Sequence, residues 1–211
     1  MSNLFFGGSS DLAKKIASNF KNTDSVTSGK SCNYYRKNFK IKNYHKKNEI
    51  KKILKKIDTQ YNNIVIFNGI YSSSFLTNFN KKEFLKVFNI NYTIPIEIAS
   101  ILIQNKIVKK NGSIIFISSI AADEELIGNA YYSISKHALN FSSKILSNEQ
   151  RLRGIRINTV SIGLVKNSMG LSAKNLSNTK KKFISINNIV KKFKILLNNS
   201  KINCKNIKIT L

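Results

Sequence analysis

The chain has 211 residues, one domain's worth, able to bury roughly 70% of its unfolded surface. With 42% hydrophobic and 22% charged residues it is not composed like a disordered protein. Lys and Arg number 36 against 10 Asp and Glu, a net charge of +26, which ordinarily points to nucleic acid or an anionic membrane.

Both partners are disfavoured. Arg, whose planar fork suits phosphates and base edges, occurs only at Arg36, Arg151, Arg153 and Arg156, and the lysines run along the whole chain without a block. Lys, Ile and Asn are abundant while Ala and Gly are scarce and Pro95 is the only proline. That bias follows A/T-rich codons and explains the charge better than a polyanionic partner. No apolar run reaches the ~18 residues that span a bilayer. The N-terminus lacks the charged start and cleavage site of a signal peptide. Cys32 and Cys204 have no metal-ligand spacing and read as free thiols, so the expected location is the cytoplasm.

In chain order, Asn3–Phe6 is a short apolar strand that breaks into Gly7-Gly8-Ser9-Ser10. From Asp11 the spacing of Leu12, Ile16 and Phe20 predicts a helix. Residues 24–28 form a second strand, and Glu49–Ile57 a Lys-coated helix with Ile50, Ile53, Leu54 and Ile57 inward. Ile64–Phe67 is a buried strand stopped by Asn68-Gly69. A long helix is expected from Lys81 to Lys109, a strand over Ser113–Ser118, a helix from Ala130 to about Gln150, and a strand over Ile155–Val160 closed by Ser161-Ile162-Gly163. A polar stretch, a helix near Asn187–Leu197 and a last strand over Asn206–Leu211 complete the chain. Continuous apolar strands alternating with helices predict an α/β fold: one doubly wound, Rossmann-type parallel sheet with helices on both faces, formed by residues 1–211 as a single domain. In such sheets ligands bind beyond the carboxyl ends of the strands.

Two segments there carry chemistry, and a proline inside the long expected helix bears on it. Gly7-Gly8-Ser9-Ser10-Asp11-Leu12 is a glycine turn leading into a helix N-terminus, suited to a pyrophosphate; an ordinary strand-to-helix turn explains it about as well. Tyr132 and Lys136 lie four apart on a helix, so the side chains share a face and the ammonium is expected to lower the phenol pKa. Tyr131 would pair with Ser135 in the same way, leaving Tyr132 as the acid/base candidate. Pro95 deprives the Asn91 carbonyl of its helical donor, which leaves either a place for a bound water or a bend made for packing.

Together these residues resemble the short-chain dehydrogenase/reductase family over nearly the whole chain. Ser119 precedes Tyr132 by thirteen residues and Asn91 precedes Ser119 by twenty-eight, matching that family's catalytic Ser and Asn. Asn68-Gly69 stands where the family has an Asn-Asn-Ala-Gly segment, and Ser161-Ile162-Gly163 replaces its Pro-Gly turn. The resemblance implies that Tyr132 exchanges a proton with the substrate oxygen and Ser119 hydrogen-bonds that oxygen. It implies that Lys136 lowers the Tyr pKa and holds the nicotinamide ribose, and that Asn91 anchors a water behind it. Gly7, Gly8, Ser9, Ser10, Asp11, Leu12, Asn68, Gly69 and Gly163, with Tyr132 and Lys136, would hold the dinucleotide.

Departures from the family are Asp11 and Ala13 at glycine positions, Phe67 at an Asn position, Lys42-Asn43 where an acidic residue commonly meets the adenine, and a chain end at Leu211. After the second strand, Thr27-Ser28-Gly29-Lys30 carries no acidic residue for a ribose diol. Lys30 and the hydroxyls suit a phosphate, so NADP(H) is favoured and NAD(H) is the alternative. His137 is expected to point away from the site, Asp123, Glu124 and Glu125 to form a solvated loop, and Arg151, Arg153 and Arg156 to pair with a helix C-terminus. The expected function is reduction of a ketone or oxidation of a secondary alcohol. The substrate is a small molecule or carrier-bound: a 3-oxoacyl carrier-protein thioester, or a keto-sugar of surface-glycan synthesis. Residues 164–184 would cover it, and the chain would form a homodimer or homotetramer through the helices bearing Asn91 and Tyr132. A non-enzymatic dinucleotide sensor on the same fold is the rival reading, and the four intact site residues weigh against it. No metal is expected.

Overall fold

The computed structural model describes residues 1–30, 32–177 and 182–211, with the backbone alone at 176 and 177. Seven strands form one sheet in the order β3-β2-β1-β4-β5-β6-β7, every neighbouring pair parallel. They are β1 (Asn3–Phe6), β2 (Thr23–Thr27), β3 (Asn38–Lys40), β4 (Tyr61–Ile66), β5 (Val108–Ser119), β6 (Arg156–Ile162) and β7 (Asn206–Ile209). The helices are α1 (Asp11–Ala17), α2 (Lys47–Leu54), α3 (Lys81–Phe88), α4 (Ile94–Gln104), α5 (Ala130–Glu149), α6 (Ser168–Ser177) and α7 (Ile186–Asn198).

The pleat sorts the strand residues into two cores. Leu4, Phe6, Ile64, Ile66, Ile114 and Phe116 pack with Ile50 of α2, Ile98 and Leu102 of α4 and Leu139 of α5. Phe5, Val65, Ile115 and Ile117 face the other way, onto Ala13 and Ile16 of α1 and Ile189 and Phe193 of α7. The sheet is therefore apolar on both faces, the reason its strands read as unbroken hydrophobic runs. The strand order reverses between β1 and β4, and the crevice at their carboxyl ends is the ligand position of such sheets.

Several expectations are corrected. The segment expected as one helix to Lys109 is three pieces: α3, a five-residue π-helical turn over Asn89–Thr93, and α4. Pro95 cannot donate to the Asn91 carbonyl, and the ladder widens so that the Ile94 N–H reaches the Asn89 carbonyl. The helix stops at Gln104 because Lys106 adopts a left-handed φ of 55° and Val108 already pairs with Tyr61. Strand β3 is three residues long with mostly exposed side chains, so it carries no apolar signal. Helix α6 lies in what the sequence presents as a polar stretch.

Candidate active site

Four expected site residues converge where β4 and β5 end. Asn91 sits in the π turn with no exposed surface. Its Oδ1 accepts from the Ile70 N–H at 2.7 Å, and its Nδ2 donates to the Ile70 carbonyl at 2.9 Å and to Ser135 Oγ at 3.0 Å. Ser135 Oγ in turn donates to the Tyr132 carbonyl at 2.7 Å. One amide thus ties the segment after β4 to the first turns of α5. Ser135 is Asn91's partner, not that of Tyr131, whose hydroxyl accepts from the Asn80 N–H.

Lys136 is buried, with Nζ donating to the Ile117 carbonyl at 2.9 Å and lying 5.9 Å from the centre of the Tyr132 ring. Tyr132 and Ser119 line one cavity, with the Ser119 hydroxyl near enough to favour the phenolate, and Ser119 Oγ accepts from the Ala121 N–H at 3.2 Å. The electrostatics differ from the sequence expectation. Burial raises the Tyr132 pKa, the Ser119 hydroxyl opposes the rise, and the neighbouring Tyr71 adds to it. Burial also lowers the Lys136 pKa to about 8. An ammonium can pull a phenol pKa down, but here desolvation acts on both groups and dominates. At neutral pH the phenol keeps its proton.

The lowered Lys136 pKa has a stability consequence. Between about 8 and the ordinary lysine value of 10.5 the unfolded chain binds more protons at this site than the folded chain, so folding stability contributed by Lys136 rises with pH across that window. Below about 8 the buried ammonium works against folding. Lys136→Met is expected to gain stability over the wild type near neutral pH, and the gain should shrink as pH rises through that window. Parallel urea titrations of the two proteins check this; a pH-independent difference contradicts the assignment.

Beside these groups lies a cavity of about 140 Å³. Ser119, Tyr132 and Tyr71 line one side, and Ile120, Leu126, Ile162, Val165 and Met169 much of the rest. The expected covering segment 164–184 contributes Leu164, Val165, Asn167, Met169, Gly170 and Ala173 to the lining. Residues 178–181 of it lie outside the described residues.

The nucleotide side is assembled by close backbone approach. Gly7 has a φ of +73°. The Gly7 and Gly8 N–H groups donate to the Val26 carbonyl at 3.0 and 3.3 Å, and Tyr44 Oη accepts from the Gly7 N–H at 3.2 Å. Those donors are engaged within the protein, whereas the first N–H groups of α1 at Asp11 and Leu12 have no intrahelical acceptor. Ser10 caps that helix, its Oγ accepting from the Ala13 N–H at 3.2 Å. A Cβ on Gly8 would stand 2.7 Å from Ser25 Cβ, one on Gly29 2.8 Å from Ser9 Oγ, and one on Gly69 3.1 Å from Lys136 Nζ. Asn68 Oδ1 is buried without a hydrogen-bond partner. An orphaned acceptor after β4, glycines where side chains would intrude, and a free helix start fit a bound dinucleotide. Past β2, Lys30 is exposed and Lys40 Nζ donates to the Gly29 carbonyl. The Gly163 N–H is held by the Ile209 carbonyl at 3.0 Å, so β7 positions the turn after β6.

Sequence reasoning missed several residues here. Tyr71 follows Gly69 by two, and its place just past a strand end is the signal that could have found it. Phe67 fills its position by packing, its ring 5.1 Å from Phe5 and 6.4 Å from Phe193. His137 does not simply point away: its Nδ1 lies 2.8 Å from the Ala122 carbonyl, holding the turn after Ser119. Asp123 is not merely solvated either, since it pairs with Lys208 at 2.9 Å. Arg153 donates to the Ile103 carbonyl in the last turn of α4, and Arg156 to the Asn199 carbonyl just past α7. They serve helix ends, though not that of α5. Among the described residues no cluster of His, Cys, Asp and Glu could hold a metal, and no helix is long and apolar enough to cross a membrane.

Residues 44–193 match the family model described as enoyl-(acyl carrier protein) reductase. The 3-oxoacyl-[acyl-carrier-protein] reductase FabG of Buchnera aphidicola is 32% identical over 188 residues, 81% of this chain and 77% of that protein. A short chain dehydrogenase family protein from Francisella tularensis superposes with a TM-score of 0.84 at 21% identity, over 99% of this chain and 97% of the other. BdcA, solved in complex with NADPH, superposes with a TM-score of 0.82 at 18% identity, over 99% and 92%.

Proposed function

Since the chain belongs to the short-chain dehydrogenase/reductase family, we propose that it reduces a ketone with a nicotinamide dinucleotide, with NADPH preferred over NADH. The observation that carries the reading is the cavity that Tyr132 and Ser119 line together, with Lys136 beside it and Asn91 clamping the segment between.

When bound, the cofactor supplies the hydride. The chain's own groups do the rest. Ser119 and Tyr132 hydrogen-bond the carbonyl oxygen, polarising it and fixing its orientation. Tyr132 Oη then gives its proton to that oxygen as charge develops there. Its raised pKa keeps this proton in place at neutral pH, which suits the reductive direction. As the proton leaves, the Lys136 ammonium stabilises the phenolate electrostatically. Asn91 keeps Ile70 and Ser135 in register so that Lys136 and Tyr132 face the same space. A water bound at the Asn91 carbonyl would complete the proton path behind Lys136.

Two further features belong to the same proposal. The apolar cavity wall favours a short acyl chain, and the FabG relative makes a 3-oxoacyl thioester the first substrate class to test, ahead of a keto-sugar. Residues 164–184 cover that substrate. Phe141 and Ile145, exposed on α5, and Leu85 on α3 offer an apolar face for self-association through the helices near the site, measurable by sedimentation. Free Cys32 and Cys204 suit a cytoplasmic setting.

The test is NADPH and NADH oxidation against a panel of 3-oxoacyl thioesters, keto-sugars and plain ketones. Binding of neither cofactor overturns the reading. The NADPH preference rests on Lys30, Lys40 and the hydroxyl-rich turn after β2, and on the NADPH found in BdcA. Replacing Lys30 and Lys40 together by Ala is expected to weaken NADPH binding about tenfold while leaving NADH nearly unchanged. Equal weakening of both cofactors sinks the assignment.

A further inference from the structure

Tyr71 is used by nothing described so far. It lies on the segment after β4, lines the cavity with Ser119 and Tyr132, and packs its ring edge-on against Tyr132 with centroids 5.5 Å apart. Its hydroxyl is buried and has no hydrogen-bond partner. Most buried phenol hydroxyls find a partner, because an unmade hydrogen bond in a dry site costs about 1–3 kcal/mol. Other buried tyrosines of this chain follow that rule. Tyr35 donates to the Gly8 carbonyl, Tyr44 to the Val26 carbonyl and Tyr61 to Asp24. The exception is the tyrosine touching the proposed acid. Its backbone neighbourhood is fixed, since Ile70 is held at both polar groups by Asn91. The phenol is thus kept in place without a protein acceptor.

We propose that Tyr71 is a specificity-determining residue whose hydroxyl donates to a second oxygen of the substrate, so that the site selects β-dicarbonyl compounds over plain ketones. This rests on the ketone-reductase reading above. Ser119 and Tyr132 take the reacting carbonyl, and Tyr71 takes the carbonyl beyond the intervening methylene. The remaining walls contributed by Leu126, Ile162, Val165 and Met169 are apolar and take the alkyl part. Without that second acceptor the Tyr71 hydroxyl stays unsatisfied in the complex, which is how a site built to hydrogen-bond one group rejects the analogue that lacks it.

The experiment compares wild type and Tyr71→Phe on ethyl acetoacetate and on methyl pentyl ketone, which has the same chain length and no second carbonyl. For the variant, kcat/KM on ethyl acetoacetate is expected to fall about tenfold or more, while kcat/KM on the plain ketone stays within about twofold. Thermal stability should be unchanged or raised, because the substitution removes an orphaned buried hydroxyl and keeps the ring. An equal loss on both ketones, or no loss on either, overturns the inference while leaving the reductase reading intact. Wild-type protein that reduces neither ketone overturns that reading, and this inference with it.

Discussion

Tyr132→Phe is expected to lower kcat for ketone reduction by about 10²–10⁴-fold, the range a positioned general acid supplies. The substitution deletes one oxygen. The ring stays against Tyr71, and the backbone carbonyl of residue 132 still accepts from Ser135. The fold loses only the interaction of the phenol oxygen with the Ser119 hydroxyl, worth at most about 0.5–1.5 kcal/mol. Cofactor affinity and unfolding midpoint should therefore change little while turnover collapses. Single-turnover oxidation of bound NADPH separates the chemical step from release, and a rate close to wild type would remove Tyr132 from the mechanism. The pH profile adds a second reading. In the free enzyme the phenol pKa is raised while that of Lys136 is lowered to about 8. The alkaline fall of kcat/KM is expected near about 8, where the ammonium loses its proton, and not at the phenol's own ionisation.

Asn91→Ala is expected to destabilise the protein by about 2–5 kcal/mol and lower the midpoint of thermal unfolding by about 5–15 °C. Three hydrogen bonds disappear from a position with no solvent access, leaving the Ile70 N–H and carbonyl and Ser135 Oγ without their partner. The π turn, still imposed by Pro95, loses the side chain that ties it to the segment after β4, and Gly69 loses its fixed distance from Lys136 Nζ. Activity measured well below the unfolding midpoint should also fall, because the lysine and the tyrosine no longer face a common space. Urea unfolding monitored by circular dichroism gives the stability change directly. An unchanged midpoint would show that the buried amide holds nothing.

The legible part of the molecule is the part governed by local rules. Buried strands such as Ile64–Ile66 and Ile114–Ile117 announce themselves because both faces of the sheet are covered, so that neighbouring residues must all be apolar. Tyr132 and Lys136 are legible from their spacing on one helix, and Ser119 and Asn91 from the family resemblance; the structure brings all four to the same strand ends. Strand β3 is not legible: three mostly exposed residues are held only by pairing with β2. Nor is the break in the helix after Phe88, where Pro95 signals a disturbance without saying that a π turn resolves it and buries the Asn91 amide.

The sequence by itself determined the fold class, because apolar periodicity is a property of the chain, and it offered the side chains of the proposed chemistry through spacing and a family resemblance. Their protonation was decided only by the tertiary structure. Lys136 four residues after Tyr132 reads as a cation that lowers a phenol pKa, yet desolvation depends on what surrounds the pair and not on what lies between them, and here it raises one pKa and lowers the other. The same holds for Tyr71: its place just past a strand end marks a candidate, but only the packing of the segment after β4 onto α5 shows a cavity-lining tyrosine whose hydroxyl is left without a partner.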